Sequence, residues 1–424
     1  MPIREAREAV MSKESTTRDL RRRNRSRVLH ALVSEGETTR GQLSASLGLS
    51  LATVTNVVSD LCVEGLVHEA GMIPSDGGRP TATLNVRPEG AYFVGADVGE
   101  HGVTVELFDL SLRPVSRVFQ DLPSRSAAPA DLSTALSVAV DEVIAQAGSP
   151  ANVYGIGLGV PGIVETQGEP FGSDQGTRIT IYAQSLNWPR TGLQDIYSRT
   201  DFPIFADNGA KTLATAESWF GAAKGIDDGL IALLGRGIGL GIINGGRILQ
   251  GSESSAGEWG HTKVSIGGPL CNCGRRGCLE AYVGGGGIAR RWRQAGGSPS
   301  INEENSLTEL LSAGTTGDEV ATRIIDETIE ILGLGLSNMV NLFNPKLIVL
   351  GGWAGLRLAE YGLSQISAAT RHNSLDRPGG QFELVPAKLG HDAVALGAAL
   401  LAVESLIQTP LKKLESFNLS RGLK

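Results

Sequence analysis

Two stretches of this chain share one layout. AYFVGADVGEHGVTVELFDL, starting at Ala91, and GLIALLGRGIGLGIINGGRIL, starting at Gly229, each read as a strand, a glycine-flanked turn and a second strand. Further strand and helix signals follow each of them, VYGIGLGVPGIV after the first and LIVLGGW after the second. A duplicated strand-turn-strand unit in an α/β chain predicts two related lobes facing each other across a cleft. Glycine-rich turns at such a cleft expose backbone N–H groups that suit phosphate, although any tight turn favours glycine.

A chain of 424 residues exceeds one compact core, and 41% hydrophobic against 20% charged residues speaks against disorder. No apolar run approaches the roughly 20 residues needed to span a bilayer, and the first residues carry no signal-peptide core, so the expected place is the cytoplasm. The charge is asymmetric. Residues 1–90 hold 12 Lys/Arg against 11 Asp/Glu, and the remainder holds 26 against 34. Six arginines lie between Arg18 and Arg27, a density that suits a phosphate-facing segment and equally a solvated helix end.

Residues 15–88 form a candidate head. Leu20, Val28, Leu29 and Leu32 mark a first helix, closed by the polar stretch SEGETT. A short helix follows Thr39 and ends at Gly48; Ser50 then caps a further helix, LATVTNVVSDLCV, closed near Gly65. Two short helices joined at a glycine read as a helix-turn-helix. On the second, Val54, Val57, Val58, Leu61 and Cys62 share one side, leaving Ala52, Thr53, Thr55, Asn56 and Ser59 outward. Small and amide side chains approach base edges in a major groove where acidic ones would be repelled, and Asn56 leads because an amide bonds adenine bidentately. Two alternating runs around SDGGRP then read as a β-hairpin wing with Arg79 at its tip. The candidate DNA contacts are Arg22, Arg25, Arg40, Ser50, Thr53, Thr55, Asn56, Ser59 and Arg79, and the implied partner is double-stranded DNA. A solvent-exposed helical interaction module is the bland alternative. His30, His68 and Cys62 read as packing or surface residues.

The sharpest motif is GEWGHTKVSIGGPLCNCGRRGCLEAY. Three of the four cysteines fall within eight residues, whereas a disulfide framework would spread them. His261, Cys271, Cys273 and Cys278 offer one imidazole and three thiolates, a closed tetrahedral set that suits structural Zn²⁺. Gly274 and Gly277 let the loop wrap an ion, which favours this reading over unmetallated or redox-active thiols.

This motif resembles the signature of the ROK family (repressors, open reading frames and kinases), and the helix-turn-helix with its GGRP segment resembles the head of that family's repressor branch. The resemblance runs from about Arg18 to about Glu404. It implies a winged helix-turn-helix followed by an actin-like, ribonuclease-H-like body, with lobe 1 over 90–209 completed by a helix at about 391–407 and lobe 2 over 210–390. It also implies zinc on the four residues above, a sugar between the lobes, and homodimers or homotetramers on palindromic operators that a sugar or sugar phosphate releases. The sugar contacts that carry over are Glu258, His261 and Glu280, with Asn208 in the segment Asp207–Lys211. Ser185, Leu186, Asn187 and Trp188 stand where the family commonly has Asn-Leu-x-Trp.

Kinase chemistry is expected to be lost. The family's Glu-Asn-Asp-Ala-Asn is here Asp207, Asn208, Gly209, Ala210 and Lys211, anchored by Glu217, so glycine stands where a carboxylate should take the hydroxyl proton. Around Asp97 the pattern Asp-x-Gly-Gly-Thr has become Asp97, Val98, Gly99, Glu100 and His101, setting negative charge where phosphates would lie. Arg236 replaces the Thr of Gly-Thr-Gly and is compatible with an anion. The expectation is a sugar-responsive repressor of carbohydrate genes, not an enzyme. A ligand-independent regulator with a decayed pocket is its rival, ahead of a sugar kinase carrying a DNA-binding head.

Overall fold

In a computed structural model of the chain, residues 17–74, 80–99, 102–122, 128–167, 178–183, 186, 188–197, 202–390 and 392–409 are described. The wing tip with Arg79, the turn residues Glu100 and His101, and Ser185 and Asn187 lie outside them.

The head opens with α1 (Thr17–Glu35). The SEGETT stretch does more than break it, since β1 (Thr38–Thr39) pairs with a wing strand. Thr39 also caps α2 (Arg40–Leu47), exchanging bonds with Gln42 in a capping box. Gly48, with φ 62°, takes the left-handed position that ends α2. Ser50 accepts from the Thr53 N–H to start α3 (Leu51–Val63), which buries Val54, Val57, Val58 and Leu61. Strands β2 (Val67–Ile73) and β3 (Thr81–Val86) complete a sheet of order β1-β3-β2. This is a winged helix-turn-helix.

The body repeats one topology. Its first sheet uses β4 (Tyr92–Val98), β5 (Gly102–Asp109), β6 (Pro114–Asp121), β7 (Val153–Val160) and, after the small antiparallel sheet of β8 (Ile163–Gln167), β9 (Arg178–Tyr182) and β10 (Thr191–Gly192), β11 (Ile204–Asn208). Its strand order is β6-β5-β4-β7-β11. The helices of this half are α4 (Pro129–Gln146) and the single turn α5 (Leu193–Ile196). After α6 (Gly209–Phe220), the second sheet uses β12 (Gly229–Leu234), β13 (Ile238–Asn244), β14 (Arg247–Ile248), β15 (Leu347–Gly351) and β16 (Glu383–Pro386) in the order β14-β13-β12-β15-β16. In both sheets the first three strands are antiparallel and the last two run parallel to the first. The duplicated layout in the sequence is therefore a duplicated five-stranded sheet.

Between β14 and β15 lie the cysteine loop, α7 (Glu280–Val283), α8 (Gly285–Gln294), α9 (Glu303–Thr315) and α10 (Glu319–Phe343). Beyond β15 come α11 (Gly352–Asn373), kinked at Gly362, the short α12 (Asp376–Gly379) and, after β16, α13 (Ala393–Gln408). Two helices occupy the centre of the molecule. α13 lies on β4 and β7, α6 lies on β12 and β13, and the two pack on each other. The contacts are close: a Cβ on Gly157 would overlap the Ala398 carbonyl, one on Gly241 the Ala214 methyl and the Ala210 carbonyl, and one on Gly397 the Thr212 carbonyl. Glu217 on α6 is fully buried and accepts from the backbone N–H groups of Ala222, Lys388 and Leu389, a structural anchor.

The head shares a core with the body. Leu29, Leu32 and Leu61 of the head join Phe93, Tyr154, Leu400 and Leu406 in one buried cluster. Among the described residues no single helix is long and apolar enough to cross a membrane.

Candidate functional site

The outward face of α3 is exposed at Ala52, Thr55, Asn56 and Ser59 and half-buried at Thr53. Its hydroxyls are occupied locally. Ser50 and Thr53 share the cap, the Thr55 hydroxyl donates to the Leu51 carbonyl, and the Ser59 hydroxyl donates to the Thr55 carbonyl. The exposed Asn56 amide has no hydrogen bond to any described residue, so all of its polar capacity faces outward. Arg40, half-buried, pairs with Glu69 at 2.9 Å.

The arginine cluster divides. Arg25 was expected to face phosphate and instead points inward at 7% exposure, because it shares the buried stripe of Val28, Leu29 and Leu32 on α1. Its guanidinium binds Glu64 at 2.6 Å and the carbonyls of Leu406 and Ile407. Arg22, exposed, donates from Nε to the Gln408 carbonyl. Both serve the junction with α13; Arg25 is buried there, whereas Arg22 stays exposed and commits only its Nε.

In the second lobe, His261, Cys271, Cys273 and Cys278 each offer a ligand atom within 4.8 Å of the others. The folding reason is local: antiparallel bridges Lys263–Cys278 and Leu270–Arg276 fold the loop back on itself, and Gly277, with φ 72°, sits where a Cβ would overlap the Ser265 carbonyl. The donor set suits a metal. Burial drives the Cys271 thiol well above its usual range; at Cys273 burial acts the same way, but hydrogen bonds from the Arg275 backbone and the neighbouring cysteines prevail and hold its thiol below it. His261 presents Nδ1 to Cys271 at 3.7 Å and Nε2 to the Glu258 carboxylate at 3.9 Å. One imidazole thus joins the cysteine cluster to the candidate sugar site.

That site gathers around the start of α6. Asn208 caps the helix, its oxygen accepting from the Ala210 N–H at 2.8 Å while its amide donates to the Gly162 carbonyl at 2.6 Å. Glu258 lies close enough to Lys211 and Glu280 to feel their charge, and burial raises its carboxyl above the usual range. Glu280 is tied down: it accepts from the Ile238 N–H at 3.1 Å and from the Cys271 thiol at 3.4 Å. Sequence reasoning missed Lys211 as a member. Its ammonium is buried, donates to Gln250 Oε1 and the Ser254 carbonyl, and lies 3.9 Å from Asp207. A lysine one turn after the Asn208 cap was the available signal. Leu186 and Trp188 are buried in the core of the first sheet.

Near the first glycine turn the described residues carry more acid than expected. Asp97, Glu106 and Asp392 approach one another, and Arg117 bridges the last two at 3.2 and 3.0 Å. Burial, then Asp392, pushes both the Asp97 and Glu106 carboxyls up to about 7, with Arg117 opposing at Glu106. Arg236 faces Glu303 at 3.7 Å. Gly209 opens α6 with no side chain, and a Cβ there would meet only ordinary contacts at 3.7 Å and beyond.

The model of the ROK family matches residues 93–405. The chain belongs to the ROK family. Its relatives include the xylose repressor of Caldicellulosiruptor bescii, 27% identical over 92% of this chain and 98% of that protein, and the DNA-binding transcriptional dual regulator NagC of Escherichia coli K12, 29% identical over 79% and 81%. Among solved structures, a ROK family transcriptional regulator homologous to the E. coli MLC protein aligns with TM-score 0.72 and 25% identity over 92% of this chain and 97% of that one. A ROK family glucokinase from Streptomyces griseus, solved with glucose and AMPPNP, aligns with TM-score 0.61 and 27% identity over 74% and 100%. The kinase is matched end to end by 74% of this ROK chain, while the xylose repressor match takes in 92% of it and so extends into the head. Kinases and regulators of the family thus share the actin-like body, and this chain has the longer, regulator layout.

Proposed function

We propose that this ROK protein is a sugar-responsive transcriptional repressor in the cytoplasm, binding palindromic operator DNA as a homodimer or homotetramer. The observation that carries the reading is the α3 face: a capped helix on a winged scaffold whose exposed Asn56 amide is uncommitted. Asn56, with Thr53, Thr55, Ser59 and Arg40 around it, supplies the base-edge and backbone contacts.

The body is the sensor. Asn208, Glu258, His261 and Glu280 supply a site with hydroxyl-binding chemistry, and Glu280 is also held by the Ile238 N–H and the Cys271 thiol. His261, Cys271, Cys273 and Cys278 suit Zn²⁺ in a structural role, holding that loop closed. Phosphoryl transfer lacks its parts. No carboxylate stands at Gly209, where a sugar kinase needs one to take the hydroxyl proton.

Thermal stability of the zinc-loaded protein across hexoses, N-acetylhexosamines, pentoses and their phosphates tests the sensor, because a ligand of the folded state raises the melting point. A hit that also releases the chain from selected DNA supports the reading. A flat panel at millimolar sugar replaces it with a ligand-independent regulator.

A further inference from the structure

Both central helices end against the head. α6 is capped by Asn208, and in its last turn the Trp219 ring lies 4.3 Å from His30 of α1; just beyond, Lys224 Nζ donates to the Ser34 carbonyl. α13 begins beside Asp392, and its last turn runs into α1. An α-helix leaves its final carbonyls without partners. Here α1 supplies them: Arg25 Nη1 donates to the Leu406 and Ile407 carbonyls at 3.1 and 3.0 Å, the Ser26 hydroxyl to the Ile407 carbonyl at 2.9 Å, and Arg22 Nε to the Gln408 carbonyl. Positive charge at this end also complements the helix dipole.

The other edge of the Arg25 guanidinium is occupied as well. Nε and Nη2 bind the two oxygens of Glu64 at 3.3 and 2.6 Å, and Glu64 is the C-terminal cap of α3. Four of the five guanidinium N–H bonds are therefore spent on two helix ends, in a place where both side chains are nearly excluded from water.

We propose that Arg25 is the positioning residue through which the body sets the pose of the DNA-reading helix: one planar fork locks the end of α3 to the end of α13. This rests on the repressor reading above. A lysine cannot replace the fork, because it reaches two helix ends only as a point charge.

The test uses the full chain and duplexes that the wild type enriches from a random pool. Glu64→Gln is the decisive variant. Removing an acid near DNA strengthens binding if only charge counts, whereas loss of the lock weakens specific binding, by roughly tenfold, with non-specific binding unreduced. Arg25→Lys should lose about as much with the salt slope of binding unchanged, the opposite of a phosphate contact. Circular dichroism confirms folding of each variant. Wild-type affinity or better in Glu64→Gln overturns the proposal, as does a salt slope reduced by about one in Arg25→Gln. If the wild type enriches no duplex, the repressor reading falls, and hydrogen exchange decides the lock alone: Glu64→Gln must speed exchange in the last turns of α3 and α13 together. Unchanged protection at α13 sinks it.

Discussion

The ammonium of Lys263 lies 2.6 Å from the sulfur of Cys278. A shell of three thiolates and one imidazole carries a net negative charge around a divalent ion, and a cation at that range offsets it. Lys263→Met should therefore weaken zinc binding by about tenfold in chelator competition. Cys273→Ala should abolish stoichiometric zinc by elemental analysis and lower the melting temperature, and EDTA should lower that of the wild type. A wild-type melting point indifferent to EDTA would remove zinc from the structural role.

Asn56→Ala should leave the fold intact, because the side chain is exposed and bonded to no other described residue. Its expected cost is about 1–3 kcal/mol in specific DNA binding, with relaxed preference at one base pair and an unchanged salt slope. Binding assays on systematically varied duplexes read this directly.

Gly209→Asp restores a carboxylate where sugar kinases need one, and the space around the glycine accepts a Cβ. The variant should fold with a wild-type melting temperature and still transfer no phosphate from ATP to any hexose in a coupled assay, since the changed nucleotide turns at Glu100 and Arg236 remain. Turnover in this variant would show that one residue alone separates the chain from kinase activity.

Glu106 is buried at 4% exposure and its carboxyl is pushed up to about 7 from 4.5. A group raised on folding binds more protons in the folded than in the unfolded chain between those values, so stability falls as pH climbs through that window. From about pH 6 to about pH 8, Glu106 should account for a loss of about 1 kcal/mol. Urea unfolding at both values measures it, and Glu106→Gln should make the decline shallower by that amount.

Much of this was legible because the signals were periodic or chemical. Alternation and glycine turns gave the duplicated sheets, capping residues gave the helix-turn-helix, and cysteine spacing gave the metal cluster. The inward turn of Arg25 is also encoded in helical phase, since it falls three, four and seven residues before Val28, Leu29 and Leu32, whereas the local density of arginines carries charge but no phase. The partners of Lys211 and the meeting of Glu106 with Asp392 were not readable. Those contacts join residues distant in sequence, and no local pattern records what long-range folding brings together.

At Gly157, Gly241 and Gly397, backbone packs against its neighbour with nothing larger than the Ala214 methyl between. Interlocked side chains can exchange rotamers to absorb a displacement, but bare backbone surfaces cannot. Each central helix is therefore carried by its own sheet as one piece. Any rotation of one half against the other would have to pass through the close contact where Gly397 meets the Thr212 carbonyl. One added methyl group at that point would jam it.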